Sequence, residues 1–263
     1  MCSESLMSCL PIIKRARFFY LYDIKGNRYL DLYLNGGNNF LGHRIQGLNL
    51  VLKQTFSRGL TASYPSIFRK QFENVFFSFF KKAGCVHVFK FERDARDFLL
   101  SLTGQHYFSK PWEEDQGIYE FRVGFNNFRY PMLVNIPMPG CMSISIVIVD
   151  NLSRKIEFRD SLDALTLAAA RHVLAKIISY EGSEKVDFGI FSTPMFRIIN
   201  RYMFPLYKSE HHFEVFNEYL NNGYLINPIF NNPSFVPLKF SKGDLDRFRK
   251  VSFSLQGRLS CQY

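Results

Sequence analysis

The stretch Phe18–His43 reads FFYLYDIKGNRYLDLYLNGGNNFLGH. Tyr20-Leu21-Tyr22 and Tyr29-Leu30-Asp31-Leu32-Tyr33-Leu34 are two runs of aromatic and branched residues, which suit a pleated, half-buried surface. Between them, Lys25-Gly26-Asn27 permits a tight turn, because glycine accepts positive φ and asparagine tolerates it. The pattern predicts a β-hairpin. Asn35-Gly36-Gly37-Asn38-Asn39 is too rich in glycine and asparagine for helix or strand. Leu41-Gly42-His43 then leads into a helical pattern.

Working outward, Leu48, Val51, Leu52 and Phe56 have helical spacing between Gly47 and Arg58, and Gly59 suits the helix end. Thr61 to Ser66 is a turn around Pro65. Phe68, Phe72, Val75, Phe76, Phe79 and Phe80 then share one face of an amphipathic helix. Such a stripe reads as core, and Lys81 and Lys82 suit the helix's carboxyl end. Residues 1–16 read as a loose lead-in.

The order of Leu21, Asp23, Gly26-Asn27-Arg28-Tyr29, Asp31, Gly37 and Leu41-Gly42-His43 resembles the amino-terminal segment of class III aminotransferases, the ornithine- and glutamate-semialdehyde type. The resemblance implies an α/β fold: the PLP-dependent transferase fold, type I. It implies pyridoxal 5'-phosphate (PLP) as cofactor and a homodimer. It also implies an α+β small domain built from both termini around a large α/β domain, here shortened, so the expected segments are 1–80, 81–180 and 181–263.

The resemblance thins where the chemistry should lie. Val86–Lys90 reads as a short strand, followed by a helix from Asp94 to Leu102 that ends at Thr103-Gly104. The family's phosphate-binding turn sits at that junction, where small residues let helix-start N–H groups approach an anion. Here the turn is Lys90-Phe91-Glu92-Arg93-Asp94-Ala95. Phe91 and Glu92 replace small residues, and Glu92 sets negative charge where a phosphate should sit. Lys90 and Arg93 are the candidate compensating cations.

Ser143 to Asp150 reads as a buried, central, parallel strand that ends in an acid. By resemblance Asp150 is the acid that pairs with the cofactor's pyridine nitrogen, with Asn151 replacing the family's following Glu. The alternative is an Asp capping a strand-to-turn junction, and both readings stand. A PLP enzyme also needs a lysine for its internal Schiff base. The family's lysine lies in glycine-rich surroundings, but here Asp150 is followed almost at once by the Ala-rich helix Leu162–Tyr180. The lysine segment reads as deleted. Lys155 is the nearest candidate, in a polar, turn-like stretch, and Lys110 and Lys176 are no better.

Trp112-Glu113-Glu114-Asp115 reads as a solvated acidic turn, with further turns at Asn126-Asn127, Tyr130-Pro131 and Met138-Pro139-Gly140. His172 reads as a helix-face residue and 182–187 as a linker. Phe213, Val215, Phe216, Tyr219 and Leu220 predict a helix ended by Asn221-Asn222-Gly223, then a strand at Tyr224–Pro228. His211-His212 reads as surface. Val236–Ser241 resembles a family segment whose His-Thr is replaced here by Lys242-Gly243, and Asp244 and Asp246 suit the next helix start.

The 29 Phe and 14 Tyr among 263 residues are unusual and read as AT-biased coding with relaxed packing, not as a binding signature. No apolar run is long enough to span a membrane, and residues 1–17 make a poor signal peptide. Five scattered cysteines (2, 9, 85, 141, 261) lack metal spacing and suit reduced thiols in a cytoplasmic protein. The net charge of +10 is spread along the chain, which argues for a solvated basic surface over a nucleic-acid site. The leading expectation is an aminotransferase-like protein without transaminase activity, serving as scaffold or regulatory partner. It would pair with itself or with an active family member. The alternatives are an active PLP enzyme using another lysine, and a basic anion- or nucleic-acid-binding protein.

Overall fold

The computed structural model describes residues 6–60, 63–113, 117–125, 128–139, 142–150, 152, 154–181 and 187–260. The expectations at Glu114, Asp115, Asn126, Asn127, Gly140, Asn151, 182–186, Cys2, Cys141 and Cys261 lie outside these residues. The chain divides into two compact units, 1–45 with 184–263 and 46–183.

The first unit begins with β1 (Ile13–Arg17), β2 (Tyr20–Asp23) and β3 (Arg28–Asp31), paired antiparallel in sequence order. The hairpin is as expected, with Gly26 at φ 89°. Asp23 pins its turn by accepting from Asn27 N at 2.8 Å and Asn27 Nδ2 at 2.9 Å. β3 stops earlier than its composition suggests. The Asp31 carboxylate accepts the N–H groups of Tyr33 and Leu34, at 2.9 and 2.8 Å, and draws the chain out of the ladder. β1 is a correction to the loose lead-in. Its sequence, IKRAR, lacks apolar alternation because it is an edge strand with four of five residues exposed.

The second unit runs α1 (Leu48–Phe56), α2 (Ile67–Phe79), β4 (Cys85–Phe89), α3 (Glu92–Thr103), β5 (Phe108–Ser109), β6 (Ile118–Glu120), β7 (Met132–Asn135), β8 (Ser145–Ile148), β9 (Lys155–Phe158) and α4 (Ala164–Glu181). Its six strands order as β5-β6-β7-β8-β4-β9. Five run in one direction. β8 is antiparallel to both neighbours, β7 and β4. This corrects the expected parallel strand. A continuous apolar run reports burial on both faces, which β8 has, but carries no information on direction. β9 is a second correction. The polar stretch around Lys155 is an edge strand, paired parallel with β4.

One sheet face is covered by α3, through a cluster of Phe89, Ala95, Leu99, Ile118, Leu133 and Val147. Phe158 on the other face meets Phe72 of α2 edge-on at 6.3 Å. α1 and α2 both pack on α4, which buries Ala168, Ala169 and Ala170 completely. These small side chains let helices approach closely. The two helices that the sequence groups with residues 1–80 therefore lie in this unit.

The chain returns to the first unit with β10 (Phe196–Ile199), β11 (Tyr202–Pro205), α5 (His212–Asn221), β12 (Tyr224–Leu225), β13 (Ser234–Phe235) and α6 (Lys242–Ser260). β12 joins β3 in parallel, so both termini contribute to one four-stranded sheet. β10, β11 and β13 form a second, three-stranded sheet. Phe248 of α6 packs against Tyr219 and Tyr224, with ring centroids at 5.2 and 5.4 Å. His212, expected at the surface, is only 8% exposed, whereas Phe213 of the expected apolar face is 44% exposed. Among the described residues no helix is long and apolar enough to cross a membrane.

Candidate functional site

Open α/β sheets bind ligands outside the carboxyl ends of their parallel strands. In the second unit the chain leaves that edge at Lys90 after β4, at Phe121 after β6 and at Ile136 after β7. α3 starts there and presents its first N–H groups, the natural anion site. Phe91 is the N-cap and gives no side-chain cap, and Glu92 and Asp94 occupy the first turn. Both acids already complement the helix dipole. Arg93 points outward, 89% exposed, 3.8 Å from Asp97. Lys90 is exposed, and its backbone N–H donates to Asp160 Oδ2 at 2.7 Å.

This edge also holds an acid that no motif announces. Glu120 closes β6, is 5% exposed, and lies 2.5 Å from Arg122 and 3.6 Å from Arg96. Arg96 also reaches Glu92 at 2.5 Å and lies over the Phe108 ring at 4.2 Å. The signal was an acid directly after two apolar strand residues, Ile118-Tyr119, in a stretch with few other cues. Nearby, Ser145 Oγ donates to Asn135 Oδ1 at 2.7 Å. Just past the strand ends, Phe121, Val123, Ile136 and Met138 are all buried, as is Ile144 on the way into β8.

Asp150 is elsewhere. β8 runs against its neighbours, so its carboxyl end falls at the amino end of β4. There Asp150 Oδ1 accepts the N–H of Cys85 at 3.1 Å and of Leu152 at 2.9 Å, and its carbonyl accepts from Gly84 at 2.8 Å. This is the capping arrangement. Lys155 starts β9 at the same edge, 66% exposed and 2.5 Å from Glu157. The hydrogen bond and charge of Glu157 hold its ammonium above the ordinary lysine range. A Schiff-base lysine needs the opposite shift.

Beside Lys155 lies a group that no sequence spacing announced. Cys85 Sγ is 3.4 Å from His87 Nε2, and His87 Nδ1 is 3.3 Å from Glu157 Oε2. The order suggests a nucleophile, a base and an acid. Arg159 decides otherwise. Its Nε donates to His87 Nδ1 at 3.0 Å, which makes Nδ1 the acceptor and leaves the proton on Nε2, facing the sulfur. A ring in that tautomer cannot take the thiol's proton. Burial pushes the Cys85 thiol up and His87 down. Among the described residues no group of three potential ligands is placed to hold a metal.

PLP chemistry asks for a lysine, an acid for the ring nitrogen and a cradle for the phosphate. No lysine side chain among the described residues is buried. Asp150 stands at the opposite edge from α3's start, and that start carries Glu92 and Asp94. Among the described residues, the groups that would hold the cofactor are not brought together.

The first unit shows what the Phe18–His43 motif does. Asp31 Oδ2 lies 2.9 Å from His43 Nε2, and Asn39 meets His43 Nδ1 at 3.3 Å. His43 N–H donates to the Phe18 carbonyl at 2.8 Å. A Cβ on Gly42, whose φ is +90°, would sit 2.8 Å from that same oxygen. Arg28 pairs with Asp244 Oδ1 at 2.7 Å, and Tyr20 donates to Asp244 Oδ2 at 2.7 Å. Ser241 and Asp244 cap α6 reciprocally: Ser241 Oγ donates to Asp244 Oδ2 at 2.6 Å and accepts Asp244 N–H at 3.1 Å. The motif residues therefore brace the hairpin, its loop and the start of the last helix.

Solved structures share this architecture. An ornithine aminotransferase from Plasmodium yoelii superposes with a TM-score of 0.70 at 12% identity, covering 97% of this chain and 98% of its own. A glutamate-1-semialdehyde aminomutase from Pseudomonas aeruginosa reaches 0.74 at 13% identity, over 95% and 88%. An acetylornithine aminotransferase from Elizabethkingia anophelis reaches 0.67 at 13%, over 93% and 94%. The fold is that of the PLP-dependent aminotransferases. No family model matches the chain. An uncharacterized protein of Borreliella burgdorferi is 62% identical over 253 residues, 96% of this chain and 94% of that one. An uncharacterized protein of Treponema pallidum is 43% identical over 54 residues, 20% of this chain and 18% of its own. The chain belongs to the family of the Borreliella burgdorferi protein.

Proposed function

We propose that this protein keeps the aminotransferase scaffold without transaminase chemistry and acts as a structural or regulatory partner, as a homodimer or paired with an active aminotransferase. The observation that carries this reading is the carboxyl edge of the six-stranded sheet. Buried Phe121, Val123, Ile136 and Met138 follow its strands, Glu120 is engaged by Arg122 and Arg96, and no buried lysine is present among the described residues. Retention of the motif fits the same reading. Asp23, Arg28, Asp31, Gly42 and His43 are tied to folding, and selection for a stable scaffold alone would preserve them.

The test is turnover. The purified chain, supplied with PLP and a panel of amino donors and keto acids, should give no amino transfer above a control with PLP alone. Light scattering on the same sample should report a dimer, or a monomer that pairs when an active aminotransferase is added. Turnover that depends on the chain would overturn the proposal.

A further inference from the structure

One open cleft lies wholly within the first unit, where the β2–β3 turn, the end of α5 and the second turn of α6 meet. Its volume of about 770 Å3 lies in the range of small-molecule sites. Its lining is polar and carries one sign of charge. Arg28 and Arg247 both belong to it, Asn27, Asn221 and Asn222 supply amides, and no acidic residue is among the lining.

The fold brings the two arginines together. Arg28 donates to Asp244 Oδ1 at 2.7 Å, and Arg247 follows Asp244 by three residues, on the same face of α6. Both cations bear on the Tyr224 hydroxyl. Burial and Asp244 raise its affinity for a proton, and the charges of Arg247 and Arg28 oppose them. Asp244 is buried behind Arg28 and also accepts from Tyr20 and Ser241. Arg247 is exposed, and among the described residues no carboxylate pairs with it. The cleft therefore keeps a net positive charge.

The facing wall is fixed before any ligand arrives. The Gly223 carbonyl accepts the Leu30 N–H at 2.8 Å, and a Cβ on Gly223 would sit 3.1 Å from the Arg28 carbonyl, so the end of α5 lies hard against β3. Asp23 holds Asn27 in the turn. Asn222 spends an amide N–H on the Glu218 carbonyl at 2.8 Å, which leaves its amide oxygen as an acceptor. Two guanidinium groups with charge to spare match an oxyanion. One guanidinium fork fills a carboxylate, whereas the three oxygens of a phosphate can be shared between two forks. The amides suit hydroxyl groups. We propose that this cleft binds a small phosphate monoester with a hydroxylated body, its phosphate between Arg28 and Arg247 and its hydroxyls on the asparagines. The site lies in the first unit alone and does not depend on the transaminase reading.

The test titrates the full chain, followed by protein-observed NMR, with glycerol 3-phosphate, with glycerate and with glycerol. Glycerol 3-phosphate should bind saturably and about tenfold or more tightly than glycerate, the worth of one charge-assisted hydrogen bond. Glycerol should not bind. Arg247→Gln should weaken glycerol 3-phosphate by about tenfold on the same ground. Lys70→Gln removes one charge from an exposed position on α2, in the other unit, and should change nothing. Should Arg247→Gln fail to fold, the three compounds on the parent chain still decide. No saturable binding of glycerol 3-phosphate, equal affinity for glycerate, or equal weakening by the two variants, which would mark a diffuse basic surface, would each overturn the proposal.

Discussion

Asp244 is a buried carboxylate that four groups share. Its burial alone would raise its affinity for a proton. The Ser241 hydroxyl, Tyr20, the Ser241 backbone N–H and Arg28 outweigh that effect and hold it below the usual carboxylate range. A carboxyl depressed in the folded state adds stability above its ordinary value of about 3.9, and that contribution is lost as pH falls through the folded value. Asp244→Asn should therefore lower stability at pH 7 by about 1.5–3 kcal/mol. The gap to the parent chain should shrink as pH drops below about 4. Urea midpoints at the two pH values measure both effects. Gly42→Ala makes a separate demand on the backbone, at φ +90° and 2.8 Å from the Phe18 oxygen. It should cost about 1–3 kcal/mol, visible in the same midpoints. At this scale the motif was legible as residues, and what it carried was the fold. Asp23, Asp31 and His43 fall in a recognisable order because each closes a local hydrogen bond. Glu120 was faint, because its one cue is an acid after Ile118-Tyr119 and no local signal shows that Arg96 and Arg122 converge on it.

At the scale of elements, α1 and α2 have similar apolar spacing and different depth. Phe72 and Phe76 of α2 are fully buried, whereas in α1 Leu48 is buried, Val51 and Leu52 are half-buried and Phe56 is 62% exposed. Periodicity names a face and cannot name what covers it. Phe76→Ala should lose about 3–5 kcal/mol, since its ring meets Phe72, Phe77 and Phe80 at 5.9, 5.8 and 4.9 Å. Phe56→Ala should stay within about 0.5 kcal/mol. Paired thermal or urea unfolding of the two variants checks the contrast. The hairpin, α2, α4 and the start of α6 were readable because their signals are local: a turn residue, a stripe, an alanine run, a capping pair. β1, β9 and the β10–β11–β13 sheet were not. β1 and β9 are edge strands with solvent-facing charges, so their alternation is faint. The direction of β8 was beyond reach, because direction is settled by which neighbours the strand meets.

For the whole molecule, that one direction changes the functional reading. A parallel β8 would have carried Asp150 to the ligand edge of the sheet. The antiparallel strand carries it to the amino end of β4, beside Cys85 and Lys155. The fold is that of PLP enzymes, and at its ligand edge Phe121, Val123, Ile136 and Met138 are buried and Glu120 is engaged by Arg96 and Arg122, which supports the scaffold role proposed above. We propose that no lysine of this chain forms a Schiff base with PLP in a native site. The most direct measurement is to saturate the folded chain with PLP, reduce with borohydride, and map the peptides by mass spectrometry. The expected result is at most sparse labelling scattered over exposed lysines, equal to that of the urea-unfolded chain. Stoichiometric labelling of one lysine, Lys155, Lys90 or Lys110 included, that vanishes on unfolding would contradict it.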